Sequence, residues 1–334
     1  MTSRRDAILS GAGRAAELHA QLGLRKKLAA GDRPVDVMDV MRELGLVLLF
    51  KPLTSMLGAY LPGAGTHGVL ITTKRDLHVQ RFTAAHELGH HVLGHRAPSL
   101  DIDVGYVGRG DPANYENYGN QELEADSFAA EFLLPTWLIV AHAKRHQWGK
   151  NDLKNPDTVY QLSLRLGTSY TATCWALQSN KLVDRATVEA LVNTLPKACK
   201  QRALPDFTPE SWRRDVWLLS EHDRGVQVLG NPDDLLVLSL EEHVGSGYVW
   251  DVAPITSAGF QIEKDERRDL TDEAIGGPVT RRVVVHGAAR GSIRLEERRP
   301  WSKNDAAHST FEIDVAMIGS QPEGLPSWER LIAA

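Results

Sequence analysis

The sequence predicts a multidomain α+β protein, with a mainly helical N-terminal part that carries a small sheet and an all-β sandwich behind it. Three observations predict this. The chain has 334 residues, more than one hydrophobic core of ordinary size accommodates. Up to residue 195 most apolar residues recur at helical spacing. From residue 226 they alternate in short segments separated by Gly, Pro and Asp, as in a β-sandwich. The pattern divides the chain into 1–150, a helical segment 151–200, a linker 201–225 and a β module 226–334.

Taken in order, residues 5–30 are rich in Ala and Leu at helical spacing, and VDVMDVMRELGL (35–46) is a second helix ended near Gly45. LVLLFKPL and GVLITTK read as strands, with LGAYLPGAG as a turn-rich link between them. Residues 79–95 form a helix, 96–120 a loop rich in Gly, Pro, Asn and Asp, and 121–135 another helix stopped by Pro135. Two or three helices follow in 157–195, where YQLSLRLGTSYTATCWALQSNKLV has the form of a helix-turn-helix. The strands of the β module are VQVLG, LLVLSLE, GYVWDV, GFQIEK, RRVVVHG, GSIRLEE and FEIDVAMI.

A content of 42% hydrophobic and 24% charged residues is that of a soluble globular chain. A net charge of −5 and a pI near 6.2 give no electrostatic reason to bind nucleic acid or an anionic membrane. Cys174 and Cys199 have no short-spaced partner. They read as free thiols of a reducing compartment, and neither completes a Cys-rich zinc site. Cys174 is expected in the core. No signal-peptide pattern and no run of about 18 apolar residues is visible. The expected location is cytoplasmic, with no membrane partner.

The stretch RFTAAHELGHHVLGH (81–95) carries the chemistry. His86 and His90 are four apart and share a helix face, so both imidazoles can converge on one ion, with Zn–N bonds of about 2.0–2.1 Å. Glu87 lies about 100° further round the helix, placed to reach water at the metal rather than the metal itself. Zinc lowers the pKa of such a water toward about 7, and the glutamate takes its proton as it attacks a peptide carbonyl. Gly89 costs about 1 kcal/mol against Ala, and leaves room for another segment or a substrate. HExxH also occurs by chance on solvent-facing helices, so a third ligand decides the reading.

QELEADSFAAEFLLP (121–135) supplies it. Glu122 and Asp126 share a face, and Ala125, Ala129 and Phe132 run along or beside it, so this face packs on the first helix. Glu122 is the preferred third ligand, and Asp126 the hydrogen-bond partner that fixes the tautomer of a ligand histidine. Glu124, about 200° from Glu122, is the alternative ligand. Glu131 is too far along the helix. His91 is expected at the surface or behind the ligands, and His95 as a helix-end histidine favoured by the macrodipole. His67, Tyr106, Tyr115 and Tyr118 are candidates to stabilise the oxyanion. The strand GVLITTK could pair with an extended substrate along its edge.

The run GVLITTK…RFTAAHELGHHVLGH followed by ELEADSFAAEFLLP resembles the ImmA/IrrE family of metallopeptidases, over roughly residues 30–195. The resemblance implies a zincin-like domain with zinc on His86, His90 and Glu122, and Glu87 as the catalytic base. It further implies a protein substrate, a repressor of the helix-turn-helix type, and a role in transcription regulation and stress response. The chain's own helix-turn-helix-like segment offers Arg165 and Lys181 and little else that is basic, so a structural or docking role is expected rather than direct DNA binding.

In the β module, EEHVGSGYVWDV (241–252), DEAIGGPVTRR (273–282) and LEERRPWSK (295–303) are similar in order to the three loops of the chagasin-like inhibitors of papain-type cysteine peptidases. That implies an immunoglobulin-like sandwich over about 226–320 whose loops wedge into a partner. Gly247 and Tyr248 fall on the first loop, with Trp250 in its following strand. Gly276 and Gly277 fall on the second loop, and Arg299, Pro300 and Trp301 on the third. The family's first loop reads Asn-Pro-Thr-Thr-Gly; here it is Glu-His-Val-Gly-Ser-Gly, with the glycine kept and the Thr-Thr pair absent. The module is therefore expected to recognise or regulate, with Trp250 in the core and Trp301 partly exposed. The alternative is a non-enzymatic inhibitor or binding protein that acts on a cysteine peptidase through these loops, with a structural zinc.

Overall fold

The computed structural model describes residues 3–63, 65–95, 99–102, 119–269, 279–302 and 306–326. The chain divides into two compact units, one formed by residues up to Thr194 together with the segment from Ser320 onward, the other by Leu195–Gly319.

In the first unit the elements are α1 (Arg4–Gln21), α2 (Leu24–Lys27), α3 (Val37–Glu43), β1 (Val47–Lys51), β2 (Met56–Leu61), β3 (Gly68–Thr72), α4 (Leu77–Val92), β4 (Ser99–Ile102), α5 (Asn120–Leu133), α6 (Thr136–Arg145), α7 (Pro156–Leu166), α8 (Tyr170–Ser179) and α9 (Arg185–Val192). Local chemistry sets many of the helix ends. Ser3 and Asp6 form a capping box on α1, Asp36 caps α3, and Asn155 with Pro156 opens α7. Gly167, at φ +64°, ends α7 and turns the chain into α8.

The sheet order is β1-β3-β2-β4, with β1 parallel to β3 and the other pairs antiparallel. LGAYLPGAG, expected as a link, supplies most of β2. Its Gly58 is not a turn residue: a Cβ there would lie 2.4 Å from Thr83 Cγ2, 2.9 Å from the Leu70 carbonyl oxygen and 3.1 Å from Glu87 Oε1. The glycine lets the strand pass against α4. Within the expected loop 96–120, Ser99–Leu100–Asp101–Ile102 form β4.

Helix α4 is buried without a break from Val79 to His90, as befits a helix covered on all sides. It packs on β2 and β3 and against α5. At Gly89 a Cβ would sit 3.1 Å from Ala125 Cα, so the space expected there is filled by α5. Helix α1 covers α5 through Ala7, Gly11, Ala15 and Leu18. A Cβ at Gly11 would lie 2.1 Å from the Glu124 carbonyl oxygen. Gly11→Ala is therefore expected to destabilise the fold by about 1–3 kcal/mol through overpacking against backbone. Gly13→Ala, at an exposed position of α1 with nothing within 4 Å, is expected to stabilise it by about 0.5–1 kcal/mol. Denaturant melts of the two variants check the pair.

The helix-turn-helix-like segment forms as expected and docks on α4 through buried Arg81, which donates to the Val35 carbonyl at 2.6 Å and the Gly167 carbonyl at 3.1 Å. Arg165 points inward, donating to His146 Nε2 at 2.9 Å and to the Gln161 carbonyl at 3.1 Å. Cys174 and Cys199 are both buried thiols. The segment after Ser320 returns to this unit: Phe50 and Gly324 exchange backbone hydrogen bonds at 2.8 and 2.9 Å. The Gln80 side chain bridges the Thr72 and Gln321 carbonyls and accepts the Gln321 N–H at 2.7 Å. Among the described residues no helix is long and apolar enough to cross a membrane.

The second unit holds α10 (Pro196–Ala203), β5 (Val216–Leu219), β6 (Gln227–Gly230), β7 (Leu235–Glu242), β8 (Val249–Asp251), α11 (Ala253–Ser257), β9 (Gln261–Asp269), β10 (Val279–His286), β11 (Arg290–Arg298) and β12 (Ser309–Met317). They form two four-stranded sheets, β5-β7-β10-β9 and β6-β12-β11-β8, in a β-sandwich-like domain. The stretch 201–225, expected as a linker, contains β5 and lays Leu204, Phe207 and Trp212 against Val216, Leu235, Val237 and Val284. Strand β7 is thus buried along Leu235–Leu238, which explains its unbroken apolar run.

Candidate metal centre

His86 and His90 project from the buried middle of α4, and Glu122 from the first turn of α5. The close α4–α5 approach at Gly89 and Ala125 brings the three together. His86 Nε2 lies 3.1 Å from His90 Nε2 and 3.2 Å from Glu122 Oε2, and His90 Nε2 lies 3.6 Å from Glu122 Oε1. Ligand atoms bound tetrahedrally at 2.0–2.1 Å to one zinc are spaced by about 3.4 Å, so these separations fit one small ion. The donor set, two imidazoles and a carboxylate, is that of zinc sites that keep a position open. Both histidines are buried, while the Glu122 side chain is 34% exposed, leaving the group accessible from that side.

The far side of each ring is also held. His86 Nδ1 donates to Asp126 Oδ1 at 2.8 Å, which leaves Nε2 as the atom that would bind an ion once its own proton is displaced. His90 Nδ1 meets His95 Nδ1 at 2.8 Å, and His95 Nε2 meets Glu124 Oε2 at 2.9 Å. Glu124, the alternative ligand, thus faces His95 and not the His86–His90 pair. His95 does not point away as a nine-residue helical count implies. The helix stops at Val92, Gly94 adopts φ +71°, and the chain turns back so that His95 is buried on His90.

The electrostatics favour a cation. Burial works against a charged His86, but the hydrogen bonds to Asp126 and Glu122 outweigh it and push its pKa up to about 10. Burial raises the Glu122 carboxyl, and the hydrogen bonds to His86 and His90 reverse this and hold it far below the usual carboxylate range. His90 is lowered, chiefly by burial. Glu87 is fully buried and adds to the field that raises His86.

Tyr60 of β2 was not legible as a site neighbour. Its hydroxyl lies 2.8 Å from His67 Nδ1 and 3.2 Å from His91 Nδ1, and burial raises its pKa. His91 is therefore half-buried against a strand. Tyr106, Tyr115 and Tyr118 lie outside the described residues.

Residues 41–178 match the family model of the IrrE N-terminal-like domain, Peptidase_M78. Residues 231–315 match that of the chagasin family peptidase inhibitor I42. The chain thus carries, in order, a region similar to the IrrE N-terminal-like domain and a region similar to the chagasin family. A search of curated proteins finds no match. Among solved structures, a cysteine protease inhibitor from Entamoeba histolytica is 19% identical, with 33% of this chain and 99% of that one covered and a TM-score of 0.27. Amebosin is 22% identical, with coverages of 30% and 96% and a TM-score of 0.26. PbICP-C, solved in complex with falcipain-2, is 19% identical, with coverages of 33% and 95% and a TM-score of 0.20. The IrrE-like domain is metallopeptidase-like, which implies a metal, and the His86–His90–Glu122 group is one that could hold it.

In the chagasin-like domain, the first and third loops meet. Gly247, at φ +79°, lies under Trp301, whose ring would be 2.5 Å from a Cβ there. The Arg299 guanidinium stands 4.5 Å from the centre of the Tyr248 ring, and its Nε donates to the Ser246 carbonyl at 3.1 Å. Pro300 is exposed and Trp301 is 74% exposed, while Trp250 is buried with Nε1 donating to the Glu241 carbonyl at 2.8 Å. Gly276 and Gly277 lie outside the described residues.

Proposed function

We propose that the chain is a zinc-dependent endopeptidase that cleaves a regulatory protein, a repressor of the helix-turn-helix type, and that its chagasin-like domain recognises a protein partner or regulates the cleavage. The carrying observation is the convergence of His86 Nε2, His90 Nε2 and the Glu122 carboxylate at 3.1–3.6 Å, with Glu87 on the helix that carries the two histidines. His86, His90 and Glu122 would hold zinc. When bound, zinc supplies Lewis-acid activation of water and of the scissile carbonyl. Glu87 takes the proton at its carboxylate and passes it to the leaving amine. Asp126 keeps the proton of His86 on Nδ1, and Glu124 orients His95, which orients His90. A cytoplasmic setting suits the two buried thiols, Cys174 and Cys199.

The exposed Trp301, with Arg299 on Tyr248, favours a second reading for the C-terminal part alone: loops that engage a peptidase, aromatic and arginine side chains being the usual anchors of protein interfaces.

The test is to label new N-termini in an extract treated with the purified chain. A restricted set, including a site in a helix-turn-helix regulator, is expected with zinc and lost with a chelator. Identical termini in the two samples would refute the enzyme reading.

A further inference from the structure

The chagasin-like domain holds a second cluster of metal-ligating side chains. Glu297 of β11 is fully buried and lies opposite Trp250 of β8. Its carboxylate turns to the first loop: Oε1 accepts the His243 backbone N–H at 2.7 Å and lies 3.1 Å from His243 Nδ1, with Oε2 at 3.3 Å. The His308 N–H donates to the Glu297 carbonyl at 2.8 Å, which places the two residues side by side. The His308 ring stands edge-on to that of His243, with centroids 4.6 Å apart, and stacks on Tyr248 at 4.5 Å. One ligand atom from each of His243, Glu297 and His308 falls within 4.8 Å of the others.

We propose that His243, Glu297 and His308 form a second metal site, selective for zinc-type ions, that fastens the first loop to the third. Two imidazoles with one carboxylate suit zinc and its transition-metal neighbours, whereas magnesium and calcium prefer oxygen ligands throughout. The buried carboxylate is fixed by the backbone of His243, so one donor is already in place before an ion arrives. The ligands come from the residue after β7, from β11 and from the residue before β12. An ion here would therefore hold the loop carrying Gly247 and Tyr248 to the one carrying Arg299 and Trp301. Because His308 is exposed, the site is reachable from solvent. The site does not depend on the peptidase reading of the other domain.

The full-length chain is stripped with a chelator and titrated with zinc alone against a chromogenic chelator, with cobalt absorption as a second readout. The wild type is expected to take up about two zinc ions, His90→Ala and His308→Ala about one each, and the double variant none. His308→Gln, which keeps the size of an exposed side chain, repeats the test if the alanine variant is unstable. One ion lost in His90→Ala and kept in His308→Ala would overturn this site and leave the first. One ion lost in His308→Ala and kept in His90→Ala would support this site and remove the first. Uptake by His90→Ala only at millimolar zinc, an adventitious ion only, would overturn the proposal.

Discussion

Glu87→Gln is expected to lower kcat by about 10²–10⁴-fold with KM and zinc content nearly unchanged. Glutamine keeps the volume of a side chain that is fully buried against β2, where Gly58 clears space for Glu87 Oε1. What it removes is the proton acceptor. The proposed ligands are on other residues, so the metal should stay. Steady-state kinetics on the cleaved substrate, zinc analysis and a thermal melt of the same preparation check the three parts. Full turnover in a folded, zinc-loaded Glu87→Gln variant would exclude this residue as the base.

Glu122→Ala is expected to abolish tight zinc binding at the IrrE-like domain, whereas Glu124→Ala should weaken it by about 10–100-fold. The difference follows from where the two carboxylates end. Glu122 reaches both Nε2 atoms, and Glu124 reaches only His95, one hydrogen bond behind His90. Zinc competition assays, run with His308→Ala in the background, isolate the site. The same titration has a proton signature. In the metal-free protein the pKa of His86 is raised from 6.5 to about 10. The protonated ring therefore stabilises the fold fully below the lower value, and this contribution fades as pH rises through about 10. Near neutral pH, zinc uptake should displace about one proton, read by calorimetry in buffers of different ionisation heat. Equal zinc affinity in the two glutamate variants would show that the ligand set is wrong.

The parts of the site that lie on regular helices were legible. The spacing of His86, Glu87 and His90 and that of Glu122 and Asp126 translate directly into faces, and Ala125 and Gly89 mark how closely those faces approach. Counting along a helix failed where the helix ended. Continuing the helix nine residues from His86 would put His95 on the far side, but Gly94 reverses the chain and returns it to His90. Strand β2 was obscured by Gly58, which in a short apolar stretch looks like a turn and here marks contact with α4. Strand β5 was hidden because it is four residues long and owes its existence to parallel pairing with β7, a partner that follows it in the chain. The same limit applies to His243, Glu297 and His308, which strand register brings together across more than fifty positions. Trp250 and Trp301, by contrast, fell where their neighbours in sequence placed them, one in a strand and one after a proline.

The exchange of backbone hydrogen bonds between Phe50 and Gly324 has a topological meaning. The β-sandwich is an insertion, and the chain enters and leaves it from the same N-terminal body. A single cut near Thr194 does not separate two self-sufficient halves, because it also takes away Gly324, which bridges Phe50 of β1, and the Gln321 amide that the Gln80 side chain binds. A faithful excised IrrE-like domain would need residues 1–194 rejoined to the segment beginning at Ser320 through a short designed turn.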